Sequence, residues 1–203
     1  MRLPELTPLW AEESSVDAVR ANATDRPYLK LQKICCERGG RLLIRDLSFE
    51  LEAGTGIRLL GANGSGKTTL LRVIAGLSQR YSGDIEWLGG RAHVLGSSLY
   101  EHLLYFSHAP GVKDSLTPLE NLQWWQRLHL VEPLPDSHLN AALEYVQLGG
   151  YGDTLACHLS AGQQRRVALA RLFISPHRLW ILDEPFTAID HAGTVYLENL
   201  IAL

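Results

Sequence analysis

The sequence predicts an α/β fold with an antiparallel β subdomain and an inserted helical subdomain, and three observations carry that reading. A short apolar stretch, Gly56-Ile57-Arg58-Leu59-Leu60, runs into a glycine-rich loop and then into a segment whose Leu70, Leu71, Ile74 and Leu77 recur at helical spacing. A continuous apolar run, Leu179-Trp180-Ile181-Leu182, ends in two carboxylates, Asp183 and Glu184, as a central strand buried on both faces would. Between them, from about residue 112 to 174, the pattern is mostly helical while its flanks are strand-rich.

The bulk numbers fit one domain, or one domain with a small subdomain inserted, in a chain of 203 residues. A hydrophobic share of 46% and a charged share of 20% suit a globular protein with a sizeable core. The formal net charge of −3 gives no electrostatic reason to expect nucleic acid or an anionic membrane as the main partner. No apolar run reaches the length that spans a bilayer, and residues 1–27 lack the apolar core of a signal peptide. A cytoplasmic chain is therefore expected. Cys35, Cys36 and Cys157 lack the spacing of a zinc or redox site and are expected to be reduced, buried thiols.

In chain order, residues 1–27 mix Pro4, Pro8 and Pro27 with small polar residues and are expected to form a flexible extension. The domain then runs over 28–203. Tyr28 to Ile34 and Leu47 to Leu51 alternate as strands do, with Gly39-Gly40 as a turn between them, and Asp84 to Trp87 is a further short strand. The helix after the glycine-rich loop is expected to end near Gly76. Leu103 to Phe106 reads as a buried strand leading into the loop Ser107 to Gly111. Thr117, Pro118 and Glu120 form a capping box with proline at the first helical position, worth about 1 kcal/mol. Trp124 and Trp125 follow; neighbours on a helix differ by about 100°, so one of the pair is expected at a boundary. Leu139, Leu143 and Val146 mark a second helix after Pro133-Leu134-Pro135. Ser160 and Gln163 make another capping box, opening a helix that runs to Pro176.

The chemistry sits in three places. Gly61-Ala62-Asn63-Gly64-Ser65-Gly66-Lys67-Thr68-Thr69 fits a glycine, four residues, then Gly-Lys-Thr, a phosphate-binding pattern in its required strand–loop–helix setting. Glycines allow several backbone N–H groups to converge, and the helix N-terminus biases that point towards anions. Lys67 is expected to reach the β- and γ-phosphates of a nucleoside triphosphate, and the Thr68 hydroxyl to hold Mg²⁺. Asp183 is placed to hold the same metal ion, and Glu184 to polarise an attacking water. The small residues of Ser160-Ala161-Gly162-Gln163 leave a helix end open for close approach by phosphate.

Three such motifs in this order, with a helical insert between the first and the other two, resemble the ATP-binding subunit of ABC transporters, a P-loop ATPase family. Leu159 to Gln163 looks like the family's signature, with Ala161 where glycine is usual, and Thr187-Ala188-Ile189-Asp190 like the loop after its acidic pair. The runs Leu159 to Leu172 and Leu179 to Asp190, with Cys36-Glu37-Arg38 and His108-Ala109-Pro110-Gly111, resemble the haem-exporter branch used in cytochrome c maturation. The resemblance implies ATP and Mg²⁺ as cofactors and a head-to-tail pair in which Ser160 to Gln163 of a second copy completes each ATP site. It also implies separate integral membrane subunits as partners and a peripheral position on the cytoplasmic face of the bacterial inner membrane. Two other readings stay open: the ATPase of another small exporter, or a nucleotide-binding regulatory subunit with little turnover.

Three departures from the family pattern bear on activity. Ala109 stands where a glutamine that senses Mg²⁺ and the transport subunit is usual. Residues 35–43 offer no aromatic to stack on adenine, leaving Arg38 or Arg41 as partial substitutes. The switch histidine that the resemblance implies is expected to be missing, since none of the eight histidines falls after His191, and the final strands are expected to be missing with it. An open sheet without its last strand has unpaired backbone groups at an edge. The 203 residues are thus expected to be less stable than an extended chain, to bind nucleotide, and to hydrolyse it weakly alone.

Overall fold

The computed structural model describes residues 29–87, 90–91 and 102–186. The expected N-terminal extension and Thr187 to Asp190 lie outside these. The chain divides after Tyr105 into two compact units, which are taken in turn.

The first unit is built on a four-stranded antiparallel sheet in the order β2-β1-β3-β4. Its strands are β1 (Leu29–Arg38), β2 (Arg41–Leu51), β3 (Tyr81–Trp87) and β4 (Gly90–Arg91). Gly39 and Gly40 both have positive φ, 62° and 74°, so the β1–β2 hairpin closes on the two-residue turn whose twist matches that of its strands. The expected antiparallel pairing is thus present, with β1 and β2 longer than the alternation suggested.

β1 does not keep one phase. Leu29 and Leu31 are buried at odd positions, then Ile34 and Cys36 at even ones. The switch falls where the register with both neighbours shifts, at Lys33, whose φ is 50°. A bulge inserts a residue and returns the next apolar pair to the core. The Lys33 N–H, turned out of the ladder, donates to Ser48 Oγ at 2.8 Å. Gly83 faces the same point with φ 102°, and a Cβ there would lie 2.5 Å from the carbonyl oxygens of Gln32 and Lys33. The bulge therefore requires glycine opposite it.

Helix α1 (Lys67–Ile74) buries Leu70, Val73 and Ile74. It ends as expected. Gly76, with φ 70°, donates to Val73 O at 3.0 Å, and Leu77 N donates to Arg72 O at 2.8 Å, the paired bonds of a Schellman stop. Gly56 to Leu60, expected as a strand, is irregular and pairs with no strand among the described residues. Leu60 is 80% exposed, so the apolar run lacks the burial on both faces that would make it a central strand.

The second unit begins at Phe106, the last residue of β5 (Leu103–Phe106). It contains α2 (Pro118–His129), α3 (Asp136–Tyr145), α4 (Ala161–Ala170) and β6 (Leu179–Leu182), with 3₁₀ turns at Ala156–His158 and Arg171–Ile174. α3 packs on both α2 and α4. Leu122, Leu139, Leu143, Val167 and Leu172 are buried there, and the Tyr145 and Phe173 rings meet at 5.1 Å.

Both expected capping boxes form. Glu120 N donates to Thr117 Oγ1 at 3.2 Å and Thr117 N to Glu120 Oε2 at 2.8 Å. The bonds between Ser160 and Gln163 have the same two lengths, 3.2 and 2.8 Å. Trp125 is buried, at 4% exposure, whereas Trp124 is 37% exposed with the Lys113 ammonium 4.4 Å from its ring centroid. Asn121, fully buried, accepts from Lys113 N and donates to the carbonyls of Lys113, Leu116 and Thr117, fastening the loop before α2 to the helix.

The thiols depart from expectation. All three are free, but only Cys36 is buried. Cys157 is exposed on the 3₁₀ turn before α4, and Cys35, half-buried, points away from the core because the bulge gives the inward position to Cys36.

Candidate functional site

In the first unit, the glycine-rich loop is exposed up to Ser65 and α1 starts directly from it. Gly66 is the N-cap, in the left-handed region at φ 101°, and a Cβ there would lie 3.0 Å from Leu43 Cβ. Conformation and close approach both call for glycine at this position. A glycine cap brings no side-chain acceptor, and the first turn of α1 carries no acidic residue. The positive end of the helix is therefore not neutralised by its own side chains.

Lys67 folds back over the loop. Its Nζ donates to Gly61 O at 2.7 Å and Ala62 O at 3.0 Å. An ammonium has three N–H donors, so this arrangement leaves one for an anion seated against the loop. Ser65 N donates to Ala62 O at 3.2 Å, closing the loop on itself. Thr68 and Thr69 follow in the first turn, the Thr68 side chain at the surface.

In the second unit, the acidic pair follows β6 directly. Asp183 is 4% exposed and its N–H donates to Phe106 O at 2.8 Å. Glu184 is exposed, with φ 51°, a left-handed conformation that a glutamate adopts only under external constraint. Two neighbouring carboxylates thus stand in different settings, one buried and one open to solvent.

α4 reaches this pair from the other side. At its start, the side chains of Ser160 and Gln163 are engaged with each other's backbone N–H groups. The first intrahelical bond runs from Gln164 N–H to Ser160 O at 2.9 Å, so the N–H groups of Ala161 and Gly162 precede the helical ladder. That end therefore meets an anion mainly with backbone donors. One turn on, Arg165 donates to the carbonyls of Asp183 at 3.3 Å and Glu184 at 2.7 Å. The structure thus brings the helix that begins at Ser160 and the acidic pair together. The loop Gly61 to Thr69 belongs to the other unit.

Arg165 and Arg171 escaped the sequence reading. The available signal was position: Arg165 precedes Ala168, Leu169 and Leu172 by three, four and seven residues, which puts it on the buried face of its helix. Burial lowers the pKa of Arg165, while the charges of Asp183 and Glu184 act to raise it. Burial alone brings Arg171 down to about 10. Oxygen donors such as the Thr68 hydroxyl and the Asp183 carboxylate suit a hard cation such as Mg²⁺.

The family model for ABC transporters matches residues 44–187. The cytochrome c biogenesis ATP-binding export protein CcmA of Saccharophagus degradans is 47% identical over 178 residues, covering 84% of this chain and 79% of its own. Its counterpart in Pseudomonas putida is 50% identical over 181 residues, covering 86% and 82%. Among solved structures, a putative ABC transporter ATP-binding protein from Pyrococcus furiosus superposes with a TM-score of 0.76 at 22% identity, over 86% of this chain and 84% of that one. An ATP-binding cassette dimer in a post-hydrolysis state, bound to ADP and Pi, gives 0.74 at 20%, over 85% and 81%. This chain therefore belongs to the ABC transporter family, as an ATP-binding protein sharing close to half of its aligned residues with the CcmA export proteins of cytochrome c biogenesis.

Proposed function

We propose that this chain binds and hydrolyses ATP as the nucleotide-binding subunit of an ABC transporter complex, powering haem export or the release of a haem chaperone during c-type cytochrome biogenesis. The observation that carries this reading is identity of 45–50% to CcmA proteins over 84–87% of the chain. In this reading residues 28–203 form one ATP-binding domain with a helical subdomain over about 112–174, and residues 1–27 are an extension.

The roles follow from the chemistry. Gly61 to Gly66 wrap the phosphates with backbone N–H groups, and the positive end of α1 favours their charge. Lys67 turns its remaining N–H towards the β- and γ-phosphates. Thr68 and Asp183 would hold Mg²⁺, which would draw charge from the terminal phosphates. Glu184 polarises the attacking water. Ser160 to Gln163 of a second copy close over the γ-phosphate with the backbone donors at the start of α4. No helix among the described residues is long and apolar enough to cross a membrane, so transport in this reading needs separate membrane subunits. Those subunits would hold the chain at the cytoplasmic face of the inner membrane.

Two measurements on the complex test the reading. Glu184→Gln should lower ATP turnover by about 100-fold or more while ATP is still bound. The chain should co-purify with cytochrome c assembly membrane subunits. Unchanged turnover, or co-purification with drug- or lipid-export subunits instead, would overturn it. A second reading, a nucleotide-binding regulatory subunit with little turnover, draws on Ala109: a methyl group has nothing to ligate or hydrogen-bond with where the family carries glutamine.

A further inference from the structure

Within the second unit, one side chain ties α4, the loop after β5 and the acidic pair together. Arg165 is 3% exposed. Its Nη1 donates to Ser107 O at 2.7 Å and His108 O at 2.8 Å, and its Nη2 to Asp183 O at 3.3 Å and Glu184 O at 2.7 Å. Each Nη has two hydrogens, so four donors meet two consecutive carbonyls from each of two segments. The Phe106 ring lies 4.2 Å from the guanidinium carbon, fixing the plane of the fork from one face. Lysine, with three donors radiating from one nitrogen, cannot span both pairs.

The segments so joined are the loop after β5 and the end of β6. Arg171 holds the rest of the same loop, donating to Pro110 O at 3.1 Å and Gly111 O at 2.8 Å. The stretch Ser107 to Gly111 therefore hangs by its backbone from two arginines, one on α4 and one on the turn that follows it. At the other end of the Arg165 bridge, Glu184 sits in its left-handed conformation, which persists only where neighbours hold it.

We propose that Arg165 is a positioning residue for ATP hydrolysis, setting the direction in which the Glu184 carboxylate leaves the strand end and coupling any displacement of the Ser107–His108 backbone to Glu184. The proposal rests on the reading of Glu184 as the group that polarises water. It also gives the loop a route to the acidic pair through its main chain, which does not depend on the side chain at position 109.

The test uses the complex containing the full chain with Arg165→Lys or Arg165→Met, with steady-state ATP hydrolysis and amide hydrogen exchange measured on the same samples. The expected result is a fall in kcat of about 10- to 100-fold with KM for ATP unchanged. Exchange should rise together at 107–111 and at 183–186, while the α4 amides stay protected and unfolding stays cooperative. Unchanged kcat, a fall matched by the unfolded fraction, or faster exchange in only one segment would overturn the proposal. Glu184→Gln separates the two levels. If it leaves turnover intact, the assigned role of Glu184 fails and the catalytic part of this proposal with it. A joint exchange response in the Arg165 variants would then show that the fault lies in that role and not in the bridge.

Discussion

The ammonium of Lys67 lies 2.7 Å from the carbonyl oxygen of Gly61, six residues back along the loop that it closes. One side chain thus organises the curve of the loop and supplies the positive charge that a phosphate would meet.

Lys67→Met should weaken ATP binding by roughly 10- to 100-fold, the range for losing charge-assisted hydrogen bonds worth about 1.5–3 kcal/mol. The denaturation midpoint should change little, because the loop is exposed and contributes little to the core. Calorimetric titration of ATP into the two proteins checks both the direction and the size. Affinity within twofold of the parent would count against the phosphate role.

Gly83→Ala should destabilise the first unit by about 3 kcal/mol. The new Cβ meets two carbonyl oxygens at 2.5 Å and the backbone stays at positive φ, so overpacking and strain add. Gly40→Ala, with positive φ but open space around the Cβ, should cost less. Denaturant midpoints of the two variants separate the steric part from the conformational one.

Asn121→Ala should cost about 1–3 kcal/mol, since Lys113 N loses its acceptor and three loop carbonyls lose a side-chain donor, keeping only the backbone N–H groups of Leu116, Ala156 and Asn121. Asn121→Asp should cost more. It retains the acceptor for Lys113 N but turns an acceptor towards three carbonyl oxygens. An aspartate variant as stable as the parent would mean that the amide nitrogen contributes nothing.

His129 supplies a pH dependence. It is stacked on Trp125 with ring centroids 4.3 Å apart and has His177 against its edge at 5.1 Å. Burial, and then the charge of Arg171, lower its pKa below the ordinary 6.5. The unfolded chain therefore takes up a proton first as pH falls, so stability is full above about 6.5 and declines below it, down to the lowered folded value. Denaturation midpoints measured from pH 7.5 to 5.5 should fall, and His129→Gln should flatten that slope. A slope unchanged by the substitution would assign the effect to another group.

Much of this was legible from sequence where the cause is local. Thr117 with Glu120, Ser160 with Gln163, the Gly39-Gly40 turn and the Gly76 stop each depend on residues within one helical or hairpin turn. The contrast between Trp124 and Trp125 follows from helix geometry alone. What could not be read depends on partners far along the chain. The bulge at Lys33 exists because Gly83, fifty residues later, leaves room for it. Nothing local in the sequence marks Arg165 as the point on which 107–108 and 183–184 converge. Gly56 to Leu60 failed as a strand for the complementary reason: an apolar run specifies a strand only when neighbours pair with it.

The two adjacent tryptophans of α2 also give the chain an optical handle. Trp124 stands at the surface under a lysine ammonium, and Trp125 is sealed between helices beside His129. A water-soluble quencher such as iodide can collide with the first indole and not with the second. Emission from one helix therefore divides into a quenchable and a shielded component. With Trp10, Trp87 and Trp180 replaced by phenylalanine, a partner protein settling over the outer face of α2 would convert the first into the second, so docking there would register as protection from iodide.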